Sequence, residues 1–345
     1  MREVCVRKAL LRSAVGLGLG LVLVAPLTLA AKPAARPRGQ GKEDAKQVPA
    51  GVQDVQVGAY VMHIHQVNIR ENYFIADFYV WFRWKGDELQ PYKTFSLVDA
   101  REESKSEPVV NRLPDGSHYA YTRIVAKLTK FWDLRQYPLD SHDLDLNIEE
   151  EASEDRSLRY VADEENSGAD QNQISMPGWE LVKTHAFAGL GLYRSNFGDV
   201  SLPKGQETRY SRLTLRMRFA REGDLVFLKL LFGVWVGAGI SFVAFFIPPH
   251  RIDPRFGVGV GAIFAAIASE YIVTQSLPDT NIVTLADKLH VLAFAFIFAS
   301  IVESTFSLYL VESGHQLHSK RLDRVARWGF PISFALLNAL TILLR

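Results

Sequence analysis

The stretch FWDLRQYPLDSHDLDLNIEE, residues 131–150, contains a tight turn followed by a strongly patterned strand. The turn is Tyr-Pro-Leu-Asp at 137–140, and proline and aspartate both favour such bends. After the turn, Leu144, Leu146 and Ile148 alternate with polar residues, which is the period of a strand with one buried face. The stretch therefore predicts a turn and a strand of a β-sheet domain. Which part of the molecule the turn contacts depends on the segments that follow it.

Four strongly apolar segments follow residue 224, at 225–247, 256–277, 289–310 and 325–344. Each has about 20 residues, enough for a helix to cross roughly 30 Å of hydrocarbon. The links at 250–255 and 312–324 are rich in arginine and lysine, whereas the link at 278–288 contributes only Lys288. Basic links stay in the cytoplasm. The sequence therefore predicts a four-helix transmembrane domain at 225–345, preceded by an exported domain.

The first 30 residues have the pattern of a secretory signal peptide. Four basic residues precede an apolar run at 14–24, and small residues end at Ala30; a membrane helix that is retained is the alternative. Residues 31–51 are rich in Lys, Arg, Ala, Pro and Gly and predict a disordered linker. Cys5, the one cysteine of the sequence, lies in the signal, so the exported part should have no disulfide and no cysteine-ligated metal.

Residues 52–221 consist of short segments with a period of two, broken by turns, which predicts an antiparallel β-sandwich. The clearest strand is YFIADFYVWFRW at 73–84, whose even positions are all apolar and should face the core. Its odd positions include Tyr79, Trp81 and Arg83, residue types that are enriched in ligand cages and partner contacts. A crowded aromatic surface without a ligand is the alternative.

A second hairpin begins at 178–181 and returns through 210–219. Its tip contains Tyr193 and Phe197, which we add to the candidate ligand-binding residues. The return strand is separated from the first apolar segment only by residues 220–224, so a movement of the hairpin can reach the membrane directly.

The order of these parts resembles the pentameric ligand-gated ion channels, the Cys-loop receptor superfamily, as a bacterial member without the cysteine pair. The resemblance is carried by WDLRQYPLDSHDLDL at 132–146, YVWFRW at 79–84, the loop SLPDTNIVT at 276–284 and Glu303. One departure is that the first apolar segment has no proline. The resemblance implies a homopentamer in the bacterial cytoplasmic membrane, with an N-terminal periplasmic β-sandwich that binds ligand, followed by a four-helix transmembrane bundle.

The resemblance also places the turn at the bottom of the sandwich, against the membrane domain. The coupling residues that it implies are Glu71, Pro138, Asp140, Arg221 and Pro278. Asp140 would pair with Arg221, with Arg218 as the alternative, and Glu71 would complete a cluster of three charges. Such a cluster at a partly dry interface can switch between two arrangements; ordinary surface ion pairs are the alternative.

The second apolar segment predicts a pore-lining helix. Seven of its residues follow one another in steps of four and three, and so share one face: Asp253, Gly257, Gly261, Phe264, Ala268, Tyr271 and Gln275. The resemblance makes this face the pore lining. Asp253 would form a ring of carboxylates that favours cations, although Arg255 and Pro254 argue against this, and Phe264 would form an apolar gate, with Tyr271 as the alternative. The glycines indicate either close helix packing or a wide inner vestibule.

Other functions are poorly supported. No metalloprotease, phosphate-loop or nucleophile-elbow motif is present, so we expect no enzyme and no cofactor. A net charge of +1 without a basic aromatic stripe argues against nucleic acid. We expect a ligand-gated, cation-preferring channel in contact with membrane lipid; a non-conducting receptor of the same fold is the alternative. The activator would be an amine, an anion at Arg83, or protons at the acidic segments 149–155 and 163–165, which otherwise predict solvated loops.

Overall fold

The computed structural model describes residues 52–155, 157–170, 174, 176–198, 207–279 and 281–344. The predicted signal at 1–30 and linker at 31–51 lie outside the described residues, and so do residues 199–206 of the second hairpin.

The first part of the described chain is built of strands. They are β1 (Gln53–Asn68), β2 (Tyr73–Trp84), β3 (Phe95–Leu97), β4 (Ala100–Lys105), β5 (Val109–Arg112), β6 (His118–Thr129), β7 (Ser141–Glu154), β8 (Leu158–Ala162), β9 (Gly168–Ala169), β10 (Trp179–Tyr193) and β11 (Thr208–Arg221). A single helical turn, Pro91–Thr94, precedes β3.

The strands form two sheets. One has the order β4-β6-β2-β1-β8, with β5 also paired to β6 and β9 to β1; the other has the order β10-β11-β7-β3. Among the described strands, the pairs of β1 with β8 and with β9 are parallel and the rest are antiparallel. The predicted sandwich is therefore present, with a parallel edge that the sequence did not indicate.

The core of the sandwich follows from strand alternation. All even positions of β2 from Phe74 to Trp84 are buried, as predicted. From the other sheet, Leu144, Leu146 and Ile148 of β7 are buried at the same period. Removing these apolar surfaces from water is the main favourable contribution to joining the two sheets.

The second part of the chain is helical. Helices α1 (Gly223–Phe242), α2 (Ile252–Gln275), α3 (Leu285–Glu312) and α4 (Gln316–Leu343) correspond to the four predicted segments, and a 3₁₀ turn at Val243–Phe246 extends α1. All four are long and apolar enough to cross a membrane.

All four helices begin earlier than the hydropathy predicts, and the reason is visible for two of them. Helix α2 starts at Ile252, and Pro254 fits there because the N–H groups of a first turn have no intrahelical partner. Helix α4 starts at Gln316, inside the segment expected to be a long link. Gly314, with φ of +84°, ends the preceding helix, and the polar residues after it continue directly as the first turns of α4.

Candidate functional site

The turn at 137–140 rests on the helical part of the chain. The carbonyl oxygen of Tyr137 accepts a hydrogen bond from the backbone N–H of Ala286, at 3.2 Å. Leu139 packs against the apolar cluster of the helices, whereas Val273 and Ala286 belong to the apolar cluster of the sandwich. Pro138 is buried in the turn. The two clusters therefore interdigitate at this point.

A second contact joins the same two parts. Arg70, in the connector between β1 and β2, donates through Nη1 to the side-chain oxygen of Gln275, at 3.2 Å, and lies 3.4 Å from its carbonyl oxygen. Pro278, three residues further on, is half-buried in the loop between α2 and α3. The residues that flank this loop, Gln275 and Ala286, thus receive contacts from two separate segments of the sandwich.

Asp140 and Arg221 form a buried ion pair beside the turn. Arg221 Nε donates to Asp140 Oδ1 at 2.8 Å, and Nη2 to Oδ2 at 3.4 Å. The guanidinium lies 4.2 Å from the ring centre of Trp179 and 5.0 Å from that of Tyr137. Arg218, the alternative partner, instead lies near Asp143, at 3.9 Å. Arg221 is the last residue of β11, two residues before α1, so the pair sits where the sandwich strand enters the first helix.

The third member of this cluster is His142 and not Glu71. His142 Nε2 lies 2.6 Å from Asp140 Oδ2, and the nitrogen must donate because a carboxylate only accepts. Burial alone would raise the pKa of Asp140, but the hydrogen bonds and charges of His142 and Arg221 lower it to about 2. Glu71 is exposed, and within the described residues it forms no ion pair; its backbone N–H is bonded to Asn68.

His142 was within reach of sequence reasoning. Residues two apart on a strand share a face, and His142 follows Asp140 at that spacing at the start of β7. Its ring packs on Trp132 and Trp179, with ring centres 5.0 and 5.6 Å apart.

All seven predicted pore-lining residues are exposed in the single chain. Phe264 is 68% and Tyr271 64% exposed, and the others are Asp253, Gly257, Gly261, Ala268 and Gln275. The buried stripe of the same helix is Arg255, Gly259, Ala262, Ala266, Ser269 and Val273. Because each residue turns a helix by about 100°, the two stripes lie on opposite sides of α2.

The helix glycines fall into two classes. A Cβ placed on Gly257 or Gly261 would meet nothing within 4 Å in the described chain, whereas one on Gly259 would lie 2.9 Å from Ile301 of α3. Gly259 therefore permits close helix packing, and the two glycines of the exposed face leave space beside the helix.

Arg255 lies away from the exposed face. Its Nη2 is 2.8 Å from Asp323 Oδ1 and 3.1 Å from Glu303 Oε2, and its Nη1 donates to the carbonyl oxygen of Ile247 at 2.8 Å. Ser307 also donates to Asp323, at 2.7 Å. The positive charge that argued against a carboxylate ring at Asp253 is thus held inside the subunit by two carboxylates. Ionisable residues in apolar helices are a signal for such pairs, but the sequence did not show which would meet.

Tyr79 and Trp81, at odd positions of β2, lie on the outer face of the larger sheet. Trp81 Nε1 donates to Asp163 Oδ2 at 3.0 Å, and these two residues, with Tyr119 and Asn166, line a cavity of about 350 Å³. A Cβ on Gly58 would lie 2.3 Å from the Trp81 ring, so glycine is required for the indole to lie flat there.

Tyr79 lies one strand position further along the same face. Its ring centre is 6.4 Å from that of Tyr121, and the Arg123 guanidinium lies 5.7 Å from it. Sequence reasoning missed the neighbours on β6 because the pairing register of β2 with β6, which places Tyr79 opposite Arg123 and Trp81 opposite Tyr121, is a property of the fold.

Arg83 is already occupied. Its Nη2 lies 2.5 Å from Asp115 Oδ2 and its Nε 3.3 Å from Ser117 Oγ. The hydrogen bonds from Ser117, together with Arg83, hold the pKa of Asp115 well below its usual range. Of the three candidate activators, an anion bound at Arg83 is therefore the least favoured.

The hairpin end of the smaller sheet carries a second aromatic group. The Tyr193 hydroxyl donates to Glu149 Oε1 at 2.6 Å, and the Tyr193 ring centre lies 5.5 Å from Phe197 and 5.9 Å from Tyr210. Burial, with the hydrogen bond to Glu149, raises the pKa of Tyr193. Arg212 Nε also donates to Glu149, at 2.7 Å. Phe197 is exposed.

The acidic segment 149–155 is not a solvated loop, contrary to the sequence interpretation. Its first residues continue β7, and Glu149 and Glu150 are buried. Glu150 accepts hydrogen bonds from Thr94 Oγ1 at 2.8 Å and from the Tyr160 hydroxyl at 3.2 Å. Burial nevertheless raises the pKa of Glu150, so this carboxyl takes up a proton more readily than a solvated one.

No protein-family model matches the chain. Among curated proteins, it is similar to a proton-gated ion channel of Gloeobacter violaceus, with 23% identity over 225 residues that cover 65% of this chain and 59% of the relative. It is 25% identical over 233 residues to the human gamma-aminobutyric acid receptor subunit rho-2, covering 67% and 46%. It is 24% identical over 246 residues to the chicken subunit beta-4, covering 70% and 48%. The chain thus spans about half the length of the curated relatives it matches.

Proposed function

We propose that this chain, whose homologues are ligand-gated ion channels of the Cys-loop superfamily, is the subunit of a homopentameric, ligand-gated, cation-preferring channel. Ligand binding to the sandwich would open a pore lined by α2. The observation that carries the proposal is the exposed face of α2, which runs from Asp253 to Gln275 on the side opposite the buried stripe.

The composition of the exposed α2 face supports a position beside a water-filled path rather than against lipid. Exposed residues of α4 include Ile332, Leu336 and Leu343, large aliphatic side chains that suit lipid. The face of α2 instead has a carboxylate and an amide at its ends and glycines within its inner half. Around a fivefold axis the glycines leave a wide inner vestibule, and Phe264 forms an apolar ring that closes the pore by excluding water.

Cation preference is supported by the position of two charges. Asp253 is exposed at the start of the face, whereas Arg255 is buried and faces Glu303 and Asp323. Five carboxylates at a narrow mouth raise the local concentration of cations and repel anions. Of the two charged residues in the first turns of α2, Asp253 is therefore the one presented at this mouth.

The ligand we favour is a small amine held between two subunits. Trp81 and Tyr79 lie on the larger sheet, and Tyr193 and Phe197 at the hairpin end of the smaller sheet. In a head-to-tail ring, one surface of each subunit meets the other surface of the next. Each aromatic group contains a carboxylate, Asp163 or Glu149, and aromatic rings with carboxylates favour a cation.

The relatives leave a second activator open. By name, one relative is proton-gated and others are receptors for gamma-aminobutyric acid, which contains an amine. The buried Glu150, whose pKa is raised by burial, is the observation that favours protons in this chain. Glu150→Gln would abolish activation by acid if protons are the ligand, and would leave activation by an amine unchanged.

The test is reconstitution of the purified full chain in planar bilayers. We expect single-channel currents that appear on addition of an amine from a screen, or on acidification, and a reversal potential that indicates cations in a salt gradient. A non-conducting membrane-anchored receptor, the alternative function, would bind the same amine in calorimetry without any current.

A further inference from the structure

Two charged side chains lie on the exposed surface of the membrane helices. Lys229 of α1 and Glu270 of α2 are both exposed in the single chain. Neither side chain forms an ion pair or a hydrogen bond within the residues that the structure describes. Charged groups within membrane spans are costly unless they are paired or reach water. Each group therefore needs either access to water or a partner from another subunit.

The two residues lie at the same depth. Lys229 is about 9 Å along α1 from its first residue, Gly223, and Glu270 is about 8 Å from the last residue of α2, Gln275, at about 1.5 Å per residue. Both of these ends adjoin the sandwich. A direct contact agrees with this estimate, because Ser269 Oγ lies 3.4 Å from the carbonyl oxygen of Leu230. Lys229 and Glu270 are the immediate neighbours of that contact pair.

Glu270 lies on the side of α2 that faces α3. Gly259 marks this side, since a Cβ there would lie 2.9 Å from Ile301 of α3. From Gly259, steps of four, three and four residues along the helix lead through Ile263 and Ala266 to Glu270. Glu270 is the exposed member of this stripe, at the edge of the subunit next to α3.

Lys229 lies on the opposite edge of the subunit. Helix α1 meets α2 through Gly233 and Gly237, whose Cβ positions would lie 3.2 Å from Ser269 and from the Ala262 carbonyl oxygen. Leu231 and Val234, on one side of this line, are buried in the helix cluster that includes α3. Lys229 lies on the other side, turned away from α3.

We propose that Lys229 of one subunit forms an ion pair with Glu270 of the adjacent subunit at every interface of the ring. The proposal rests on the homo-oligomer put forward above. A head-to-tail ring brings the α1 edge of each subunit against the α3 edge of the next, and these edges carry opposite charges at one depth. Because Glu270 directly precedes Tyr271 of the exposed face, the pair also fixes the rotation of the outer half of α2.

The proximity is tested by cysteine cross-linking of the full chain in a Cys5→Ser background. Lys229→Cys and Glu270→Cys are placed in two differently tagged chains that are expressed together and oxidised in the membrane. We expect a disulfide-linked dimer carrying both tags, and a ladder up to the full oligomer when both cysteines are in one chain. Ile272→Cys, exposed on the other flank of α2, replaces Glu270→Cys as the matched control and should give no dimer.

The charge interaction is tested by reversal. Lys229→Glu and Glu270→Lys should each lower the temperature at which half of the oligomer dissociates in detergent, by about 5 °C. The double reversal Lys229→Glu/Glu270→Lys should restore the original temperature, since the pair is re-formed with its signs exchanged.

The outcomes separate this inference from the proposed function. If the unmodified chain is monomeric by native mass spectrometry, the proposed channel itself is wrong. If the chain is a stable oligomer but the cross-link stays within one chain or does not form, or if the double reversal is no better than the single ones, the ion pair is wrong and the channel stands.

Discussion

Arg221 is held by two kinds of contact, two residues before the first helix begins. It pairs with Asp140, and its guanidinium lies over Trp179 and Tyr137. A buried guanidinium with one carboxylate partner leaves an uncompensated charge when the partner is removed. The Asp140–Arg221 ion pair is therefore costly to break. A contact of this kind is suited to transmit a movement of the sandwich to the helices.

The first prediction concerns the stability that Asp140 supplies. Its pKa is lowered in the folded chain from 3.8 to about 2, so the unfolded chain binds the proton first as the pH falls. The contribution, about 2 kcal/mol, is complete above roughly pH 5 and is lost between about pH 4 and pH 2. We expect Asp140→Asn to remove this contribution, measured by thermal unfolding of the full chain across that pH range.

The control for this prediction is Asp143→Asn, because Asp143 lies near Arg218 at a more exposed position, 3.9 Å away. It should change stability by less than about 1 kcal/mol.

In bilayers, Asp140→Asn should reduce channel opening while amine binding persists. Normal opening by this variant would show that the turn has a structural role and does not couple ligand binding to opening.

The second prediction concerns the ligand residues. Tyr79→Ala and Tyr193→Ala should each raise the amine concentration for half-maximal current by roughly 2- to 30-fold, since stacking on a cation contributes about 0.5–2 kcal/mol. Phe131→Ala is the matched control, because this aromatic side chain is 83% exposed and precedes the turn at the membrane end of the sandwich. Unchanged responses of both tyrosine variants would show that the amine binds elsewhere.

In the proposed channel, one face of helix α2 supplies ion preference at its start and closure near its middle. The third prediction separates them. Phe264→Ala should produce current without ligand, because the apolar ring that excludes water is lost. Asp253→Ala should leave closure intact and shift the reversal potential toward anions. A Phe264→Ala channel that stays closed without ligand and opens normally with it would place the gate at Tyr271.

One buried arginine, Arg255, links α2 to both α3 and α4. The fourth prediction is that Arg255→Gln destabilises the helical part by about 3–5 kcal/mol, because Glu303 and Asp323 lose their shared cation. Arg251→Gln is the matched control, as Arg251 is exposed just before α2, and should have little effect. Thermal aggregation of the two variants in detergent measures the difference; equal stability would show that Arg255 is dispensable.

At the scale of the whole molecule, the comparisons and the membrane helices agree. The resemblance to the Cys-loop superfamily, first carried by the turn at 137–140, is confirmed by homologues that are ligand-gated ion channels. Four helices that can cross a membrane, together with a channel homologue, make the chain a multi-pass membrane protein. In the proposed assembly, copies of the exposed α2 face would together line the pore, and the two aromatic groups of neighbouring subunits would meet.

The fifth prediction is that the purified chain is a homopentamer. Native mass spectrometry in detergent should give a mass of five subunits, with a monomer mass reduced by cleavage after residue 30. The pentamer prediction rests on the exposed face of α2. This face can line a pore only if several copies of the helix surround a common axis. A stable monomer or dimer would contradict the assembly, and an uncleaved N-terminus would contradict the signal peptide alone.

The sequence by itself determined the features that depend on local periodicity. Alternation in 73–84 identified the buried face of β2, and apolar length identified four spanning helices. Steps of three and four residues also selected a face of α2 that is exposed in the single chain, and its role as the pore lining stays a prediction. These predictions hold because burial of a strand or helix face is set by neighbouring residues along the chain, whatever the partner element is.

Only the tertiary structure decided which charged groups meet. Arg255 finds Glu303 and Asp323 at separations of 48 and 68 residues. Likewise Glu149 meets Tyr193 across the register of β7, β10 and β11. The Asp140–Arg221 pair, 81 residues apart, is the exception, because the resemblance already implied it. A pattern along the chain can predict that a charge must be compensated. Helix rotation and strand register determine which residue compensates it, and both are set by the packing of the whole fold.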